Sequence, residues 1–174
     1  SAGPDLGLRR EKMTYAVTDT VAGSQGIADN STTQKHPLGT IVWAKDPTYG
    51  EGEFIYLKGV ASTTVGLWVT YNVSWQSALA TSAVATPNPH AVAMSACVAD
   101  EYGWYQVGGL ALPSKANTLS LAAGAAIASA SGETIAAATS NIVNSALVAV
   151  VASAKSDVLT VAVVIDRPAG PASD

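Results

Sequence analysis

The sequence is poor in the residue types from which most catalytic and metal sites are built. It has one cysteine, Cys97, and two histidines, His36 and His90, in 174 residues. A single cysteine excludes an intrachain disulfide, and so few Cys and His residues do not supply the ligands of a zinc cluster. No phosphate-binding loop, dinucleotide-binding glycine motif or nucleophile elbow is present. The sequence therefore predicts that the protein is not an enzyme and has no metal and no cofactor.

Charged residues are also scarce. They make up 13% of the chain, about half the share of an average soluble domain. The net charge is −4 and no basic block occurs, which argues against nucleic acid as a partner. Residues 59–174 carry only 9 charges, against 13 in residues 1–58. Such a body either has neighbours covering it or exposes a neutral surface rich in Ala, Ser, Thr and Gly.

Long apolar runs are missing as well. The longest, residues 146–152, is far short of the roughly 20 residues that a membrane helix needs. Leu6 and Leu8 stand isolated near the start of the chain, which is not the pattern of a signal peptide. We therefore expect a soluble protein without a membrane partner, made in a reducing cytoplasm.

The sequence is rich in short runs of β-branched and aromatic residues that end at turn chemistry. Pro47 and Gly50 lie between the first two runs, which predicts a hairpin with a loop over residues 46–52. Ile41 and Trp43 alternate with Val42, so neither face of the first run is clearly polar, and both faces need a cover. Self-association as a dimer or trimer would supply one. The three predicted strands are residues 40–45, 53–58 and 67–71.

Two motifs in this region carry a family resemblance. They are H-P-L-G-T-I-V-W-A-K-D-P-T-Y-G-E-G-E-F-I-Y-L-K-G-V at 36–60 and A-D-E-Y-G-W-Y-Q-V-G-G at 99–109. The chain from Tyr15 to Val107 resembles the capsid cement, or head decoration, proteins of tailed bacteriophages, and D-R-P at 166–168 extends the likeness. The resemblance implies a virion protein made in the host bacterial cytoplasm. Its partner would be the major capsid protein, on the outer surface of the assembled shell.

The remaining patterns predict a single all-β body. Short strands with glycine and proline turns favour an antiparallel β-barrel or a sandwich, jelly-roll-like in architecture, and leave the choice between them open. Residues 142–152 and 158–165 predict a further hairpin. Residues 77–85 and the alanine-rich residues 121–131 fit either a strand or a helix. The predicted divisions are an extended N-terminal arm at 1–34, the β body at 35–168 and a tail at 169–174.

Ten of the eleven aromatic residues fall between positions 43 and 105. They form either the core or interface anchors, for which Trp and Tyr are favoured. Tyr49 is the first candidate for an exposed anchor because it sits in the loop after the first strand. The rival function is a carbohydrate-binding or adhesin-like β-domain in which exposed aromatics stack on sugars. The residues predicted to contact the capsid or a second copy are Tyr15, Ile27, His36, Pro47, Tyr49, Trp75 and Trp104.

Overall fold

The computed structural model describes residues 16–17, 25–59, 63–80, 89–115, 120–125, 127–136, 148–149 and 162–165. These residues form strands and turns without an α-helix, which confirms the all-β prediction. The described residues include no helix long and apolar enough to cross a membrane. The twelve strands of the described part are β1 (Ala16–Val17), β2 (Asn30–Ser31), β3 (Ile41–Asp46), β4 (Gly50–Lys58), β5 (Trp68–Tyr71), β6 (Ser77–Leu79), β7 (His90–Ala93), β8 (Tyr102–Ala111), β9 (Ile127–Ala130), β10 (Glu133–Ala136), β11 (Val148–Ala149) and β12 (Val163–Ile165).

One large antiparallel sheet of ten strands organises the described residues. Its main path runs β1-β3-β4-β8-β7-β5-β6. The central strand β8 also pairs with β2 and β12, and β11 pairs with β12. The strands β9 and β10 form a separate antiparallel hairpin. The three strands predicted from residues 40–71 are confirmed as β3, β4 and β5.

The sheet curls back on itself at one end. The amide of Lys58, at the end of β4, donates a 3.0 Å hydrogen bond to the carbonyl of Trp75, and Gln76 forms a parallel bridge with Lys58. Across the interior, the hydroxyl of Ser77 on β6 donates to that of Tyr105 on β8 at 3.3 Å. Within the described residues, the backbone pairing between the end of β4 and the start of β6 consists of the bridge between Lys58 and Gln76, the residue before β6. The barrel is therefore incompletely closed. The architecture lies between the barrel and the sandwich that the sequence left open.

Both faces of β4 and β8 are buried, as their apolar alternation predicts. The interior of the curled sheet holds Ile55, Leu57, Val69, Ala91, Ala93, Cys97, Tyr105 and Val107. The outer face is covered in two halves. One half packs Val42, Ala44, Phe54, Tyr56, Met94 and Trp104 against Ile27 from the N-terminal segment. The other half packs Trp68, Ala80, Val92 and Ala111 against Leu121, Ile127, Ala128, Val163 and Ile165.

The two adjacent glycines of β8, Gly108 and Gly109, lie next to a shift in the pairing register between β4 and β8. Glu53 of β4 pairs with Gly108, whereas the next residue, Phe54, pairs with Gln106, so Val107 is the extra residue of a bulge. Gly109 has a φ of +86°, and a Cβ atom there would collide with the carbonyl oxygen of Glu51. Only glycine lets the two backbones approach so closely.

Part of the predicted N-terminal arm packs on the body. Gln25 and Ile27 are buried, and β2 pairs with β8 through Asn30 and Gly103. β1 pairs with β3. Gln25 and Ile27 cover part of the outer face of β4 and β8, so we expect residues 25–34 to contribute to the stability of the body, in contrast to a free arm. The rest of the arm, apart from β1, and the tail at 169–174 lie outside the described residues.

The alanine-rich C-terminal third forms strands where it is described. Ile127 and Ala128 of β9 are buried against the body, and the indole nitrogen of Trp68 donates to Thr134 of β10 at 2.9 Å. These tertiary contacts outweigh the helix propensity of alanine. The turn between β9 and β10 is Ser131-Gly132, with φ of 49° and 80°. The antiparallel pairing of β11 with β12 confirms that the two segments of the predicted late hairpin pair, and the rest of that hairpin, including its turn, lies outside the described residues.

Candidate interaction surface

One face of β3 is apolar and open in the single chain. The pleat of the strand places Ile41 and Trp43 on the side opposite Val42 and Ala44. Val42 and Ala44 are buried, whereas Ile41 is 37% exposed and Trp43 is 53% exposed. The sequence predicted that both faces would need a cover, and among the described residues only one of them is fully packed.

The hairpin between β3 and β4 is shorter and more rigid than the predicted loop over 46–52. The strands continue to Asp46 and Gly50, which leaves a connection of residues 47–49. The carboxylate of Asp46 accepts hydrogen bonds from the amides of Thr48 at 2.7 Å and Tyr49 at 3.0 Å. Gly50 has a φ of +80° that completes the turn. Pro47 is exposed and Tyr49 is half-buried at this tip.

The turn between β5 and β6 puts a tryptophan where glycine is usual. The amide of Trp75 donates to the carbonyl of Asn72 at 3.0 Å, and Asn72 Oδ1 accepts from Ser74 and Gln76. Trp75 then takes a left-handed φ of 59°. In a three-residue hairpin loop this position ordinarily holds glycine. A bulky side chain there strains the backbone, and such strain is often found at functional positions.

The ring of Trp75 reaches the start of β3. It stacks on Tyr71 with a centroid separation of 6.3 Å, and it lies against Gly39, where a Cβ atom would come within 2.6 Å of the indole. Trp75 is itself 38% exposed. Because Gly39 is two residues before Ile41, the indole lies near the beginning of the exposed face of β3. We call Ile41, Trp43, Pro47, Tyr49 and Trp75 the β3 surface.

Charge on this surface is balanced. Lys45 shares the face of Ile41 and Trp43 and stands directly opposite Glu51 on β4. Trp43 stands opposite Glu53, whose side chain is buried. Within the described residues, no group of three or more His, Cys, Asp or Glu side chains is placed to bind a metal ion. The arrangement suits contact with another apolar surface.

Three of the predicted interface residues are interior residues of this chain. Trp104 is fully buried and its indole nitrogen donates to the carbonyl of Gln25 at 3.1 Å. The ring of His36 lies 5.1 Å from that of Tyr56 and 5.2 Å from that of Trp104, and burial lowers the pKa of His36. Ile27 packs in the same cluster. These residues hold the N-terminal segment on the body, so we remove them from the candidate surface.

Of the other predicted residues, Pro47, Tyr49 and Trp75 lie on the β3 surface, and Tyr15 is outside the described residues. Sequence reasoning missed Ile41 and Trp43 as candidates. The alternation of the strand showed that both of its faces need a cover, but Lys45 lies on the face of Ile41 and Trp43 and Asp46 on the opposite face, so charge did not tell which face is exposed. Asp46 is buried because its carboxylate caps the hairpin turn.

Comparison with known proteins returned no match: no family profile, no curated protein and no solved structure is similar to this chain.

Proposed function

We propose that the protein is a viral structural protein that binds the outer surface of a capsid and cements neighbouring copies of the major capsid protein. The observation that carries the proposal is the exposure of Trp43, at 53%, next to Ile41 on a regular strand. Large aromatic side chains that stay exposed on rigid elements are typical interface anchors. The resemblance of residues 36–60 and 99–109 to cement proteins supplies the class of partner.

The rigidity of the β3 surface favours this function. β3 is fixed by the hydrogen bonds of the β3–β4 ladder, and the hairpin tip by the carboxylate of Asp46. Trp75 keeps a strained backbone while its ring packs on Gly39. A surface that is already ordered loses little conformational entropy when it binds, so more of the contact energy appears as affinity.

The proposed mechanism is thermodynamic. A protein that binds the assembled shell and not the dissociated subunits stabilises the shell by mass action. A cement protein also contacts more than one subunit, and linked weak contacts add through a high effective concentration. No chemical step is required of the chain, in keeping with the lack of catalytic motifs in its sequence.

The carbohydrate-binding alternative has less support on this surface. The aromatic form of this alternative depends on exposed rings that stack on the sugar, beside amides or carboxylates available for hydrogen bonding. Trp43 stands opposite Glu53, but the side chain of Glu53 is buried. On its own face Trp43 lies between Ile41 and Lys45, so the described residues put one exposed ring at the centre of this surface and no second ring beside it on the strand.

The deciding experiment measures the binding of the chain to purified shells of the cognate major capsid protein. Trp43→Ala should lower the affinity at least about tenfold, the equivalent of about 1.4 kcal/mol. Val98→Ala is the matched control, because Val98 is also an exposed hydrophobic residue but lies on the turn before β8. Equal binding by wild type and Trp43→Ala, or no binding of wild type to shells, would overturn the proposal.

A further inference from the structure

A cavity of about 370 Å³ lies at the end of the barrel where β4 ends. The turn that follows β5 and the turn that precedes β8 form its other walls. Its polar lining comes from Lys58, Asn72, Gln76, Ser77 and Asp100, and its small apolar walls from Ala78 and Ala99. The volume lies in the range of small-molecule sites and corresponds to a small ligand. The lining includes no residue of the β3 surface.

The charges of the cavity compensate each other. Lys58 Nζ forms an ion pair with Asp100 Oδ1 at 2.6 Å, and each partner favours the charged form of the other. The ammonium would attract an anion and the carboxylate a cation, but the pair leaves no net charge for either. Both groups still offer further hydrogen bonds to a neutral ligand.

Two side-chain amides complete the polar lining. Asn72 Oδ1 is occupied by the amides of Ser74 and Gln76, which leaves its Nδ2 group as a donor. The side-chain amide of Gln76 makes no hydrogen bond to another described residue. Each amide can therefore bond a ligand without breaking an existing contact. Amides together with an ion pair and small apolar walls match the alternating hydroxyl and C–H groups of a sugar ring.

Hydrogen bonds and turns fix the backbone positions from which these side chains extend. Gln76 bridges Lys58, and the amide of Lys58 donates to the carbonyl of Trp75. Asp100 takes a left-handed φ of 66° at its turn, a conformation that aspartate adopts more readily than most residues. From this geometry we infer that the cavity is a binding site for a neutral saccharide unit. The inference concerns a different surface from the capsid contact and does not depend on it.

The test is a titration of the full chain with glucose, galactose and N-acetylglucosamine, followed by NMR. Inorganic phosphate and glutamate serve as charged comparators. At least one saccharide should shift the amide signals of Gln76 and Asp100, with a Kd on the order of 1 mM, equivalent to about −4 kcal/mol. The charged comparators should leave these signals unchanged.

Gln76→Ala and Asp100→Asn should each weaken the saccharide at least fivefold. Gln34→Ala, an exposed glutamine elsewhere on the chain, should not. If Asp100→Asn unfolds the protein, the saccharide affinity of Gln76→Ala alone tests the inference. The inference is overturned if no saccharide binds at about 50 mM, fifty times the expected Kd. Binding of phosphate or glutamate in place of sugar, or full affinity in Gln76→Ala, would overturn it as well. None of these outcomes bears on shell binding by Trp43.

Discussion

The hydroxyl of Tyr56 donates a buried hydrogen bond of 2.8 Å to the side-chain oxygen of Gln25, 31 positions earlier in the chain. The amide nitrogen of the same glutamine donates to the carbonyls of Asp29 at 2.9 Å and Tyr102 at 3.0 Å. One side chain thus satisfies three polar groups at the aromatic cluster. It also ties the N-terminal segment to β4 and β8.

We predict that Gln25→Ala lowers the free energy of unfolding by about 1–3 kcal/mol, because it leaves the buried hydroxyl of Tyr56 without its acceptor. Gln34→Ala removes an exposed glutamine of the same segment, whose amide donates to the carbonyl of His36 at 2.9 Å, and should lower stability less than Gln25→Ala does. Urea unfolding of the two variants measures the difference. By the same argument, deletion of residues 1–34 should destabilise the body. Equal midpoints for the two variants would show that the segment is not held by Gln25.

His36 should make stability depend on pH. Burial lowers its pKa from 6.5, so the folded state binds a proton less readily than the unfolded state. Its contribution to stability is fully present above pH 6.5 and is lost as the pH falls through the folded-state pKa. His36→Phe keeps a ring against Tyr56 and Trp104 but cannot be protonated. The urea midpoint of this variant should therefore fall less than that of wild type between pH 7.5 and 5. If the two midpoints fall equally, the pH dependence comes from groups other than His36.

Trp75 permits a test of the strained turn. Both Trp75→Gly and Trp75→Ala remove the ring, but only glycine accepts a φ of 59° without steric cost. Trp75→Gly should be more stable than Trp75→Ala by about 1 kcal/mol, as measured by thermal unfolding. Both variants should bind shells more weakly than wild type. Equal stability would mean that the turn relaxes out of the left-handed conformation once the ring is gone.

Tyr49 tests the hairpin tip. Its ring is half-buried at the end of a turn that Asp46 holds rigid. We expect Tyr49→Ala to reduce occupancy on shells while the melting temperature of the free protein stays nearly unchanged. Thr48→Ala, at the adjacent exposed position, is the control and should affect neither. A large fall in melting temperature would instead assign Tyr49 to the packing of the body.

Self-association is the fifth prediction. The exposed Ile41 and Trp43 offer an apolar face to a second copy, in addition to the shell. Sedimentation of the free protein at micromolar concentration should show a dimer or trimer, and Trp43→Ala should shift it toward the monomer. If the wild-type protein is a monomer, this face does not bind a second copy in solution and only its binding to the shell remains as a proposal. If Trp43→Ala leaves an oligomer intact, the contact between copies lies on another surface.

Much of the fold could be predicted because its signals are local. Tyr56 and Trp104 lie on the face opposite Ile55 and Tyr105, as the alternation of side chains along a strand requires. Pro47 and Gly50 marked the hairpin, since their allowed φ angles are properties of the single residue. The candidate site was less predictable, because Trp104 and Trp43 have similar strand-like contexts although one is fully buried and the other is 53% exposed.

The sequence by itself determined the strands, their alternation and the turn chemistry, because these depend on contacts between residues close together in the chain. Tertiary structure decided which apolar face stays open. Trp104 is covered because residues 25–36 fold over it and Gln25 satisfies its indole, whereas the described residues leave Trp43 half open. It also decided that Trp75 meets Gly39, 36 positions away, which the curling of the sheet brings about. Burial depends on what lies on the other side of a strand, and a strand's own sequence does not encode that neighbour.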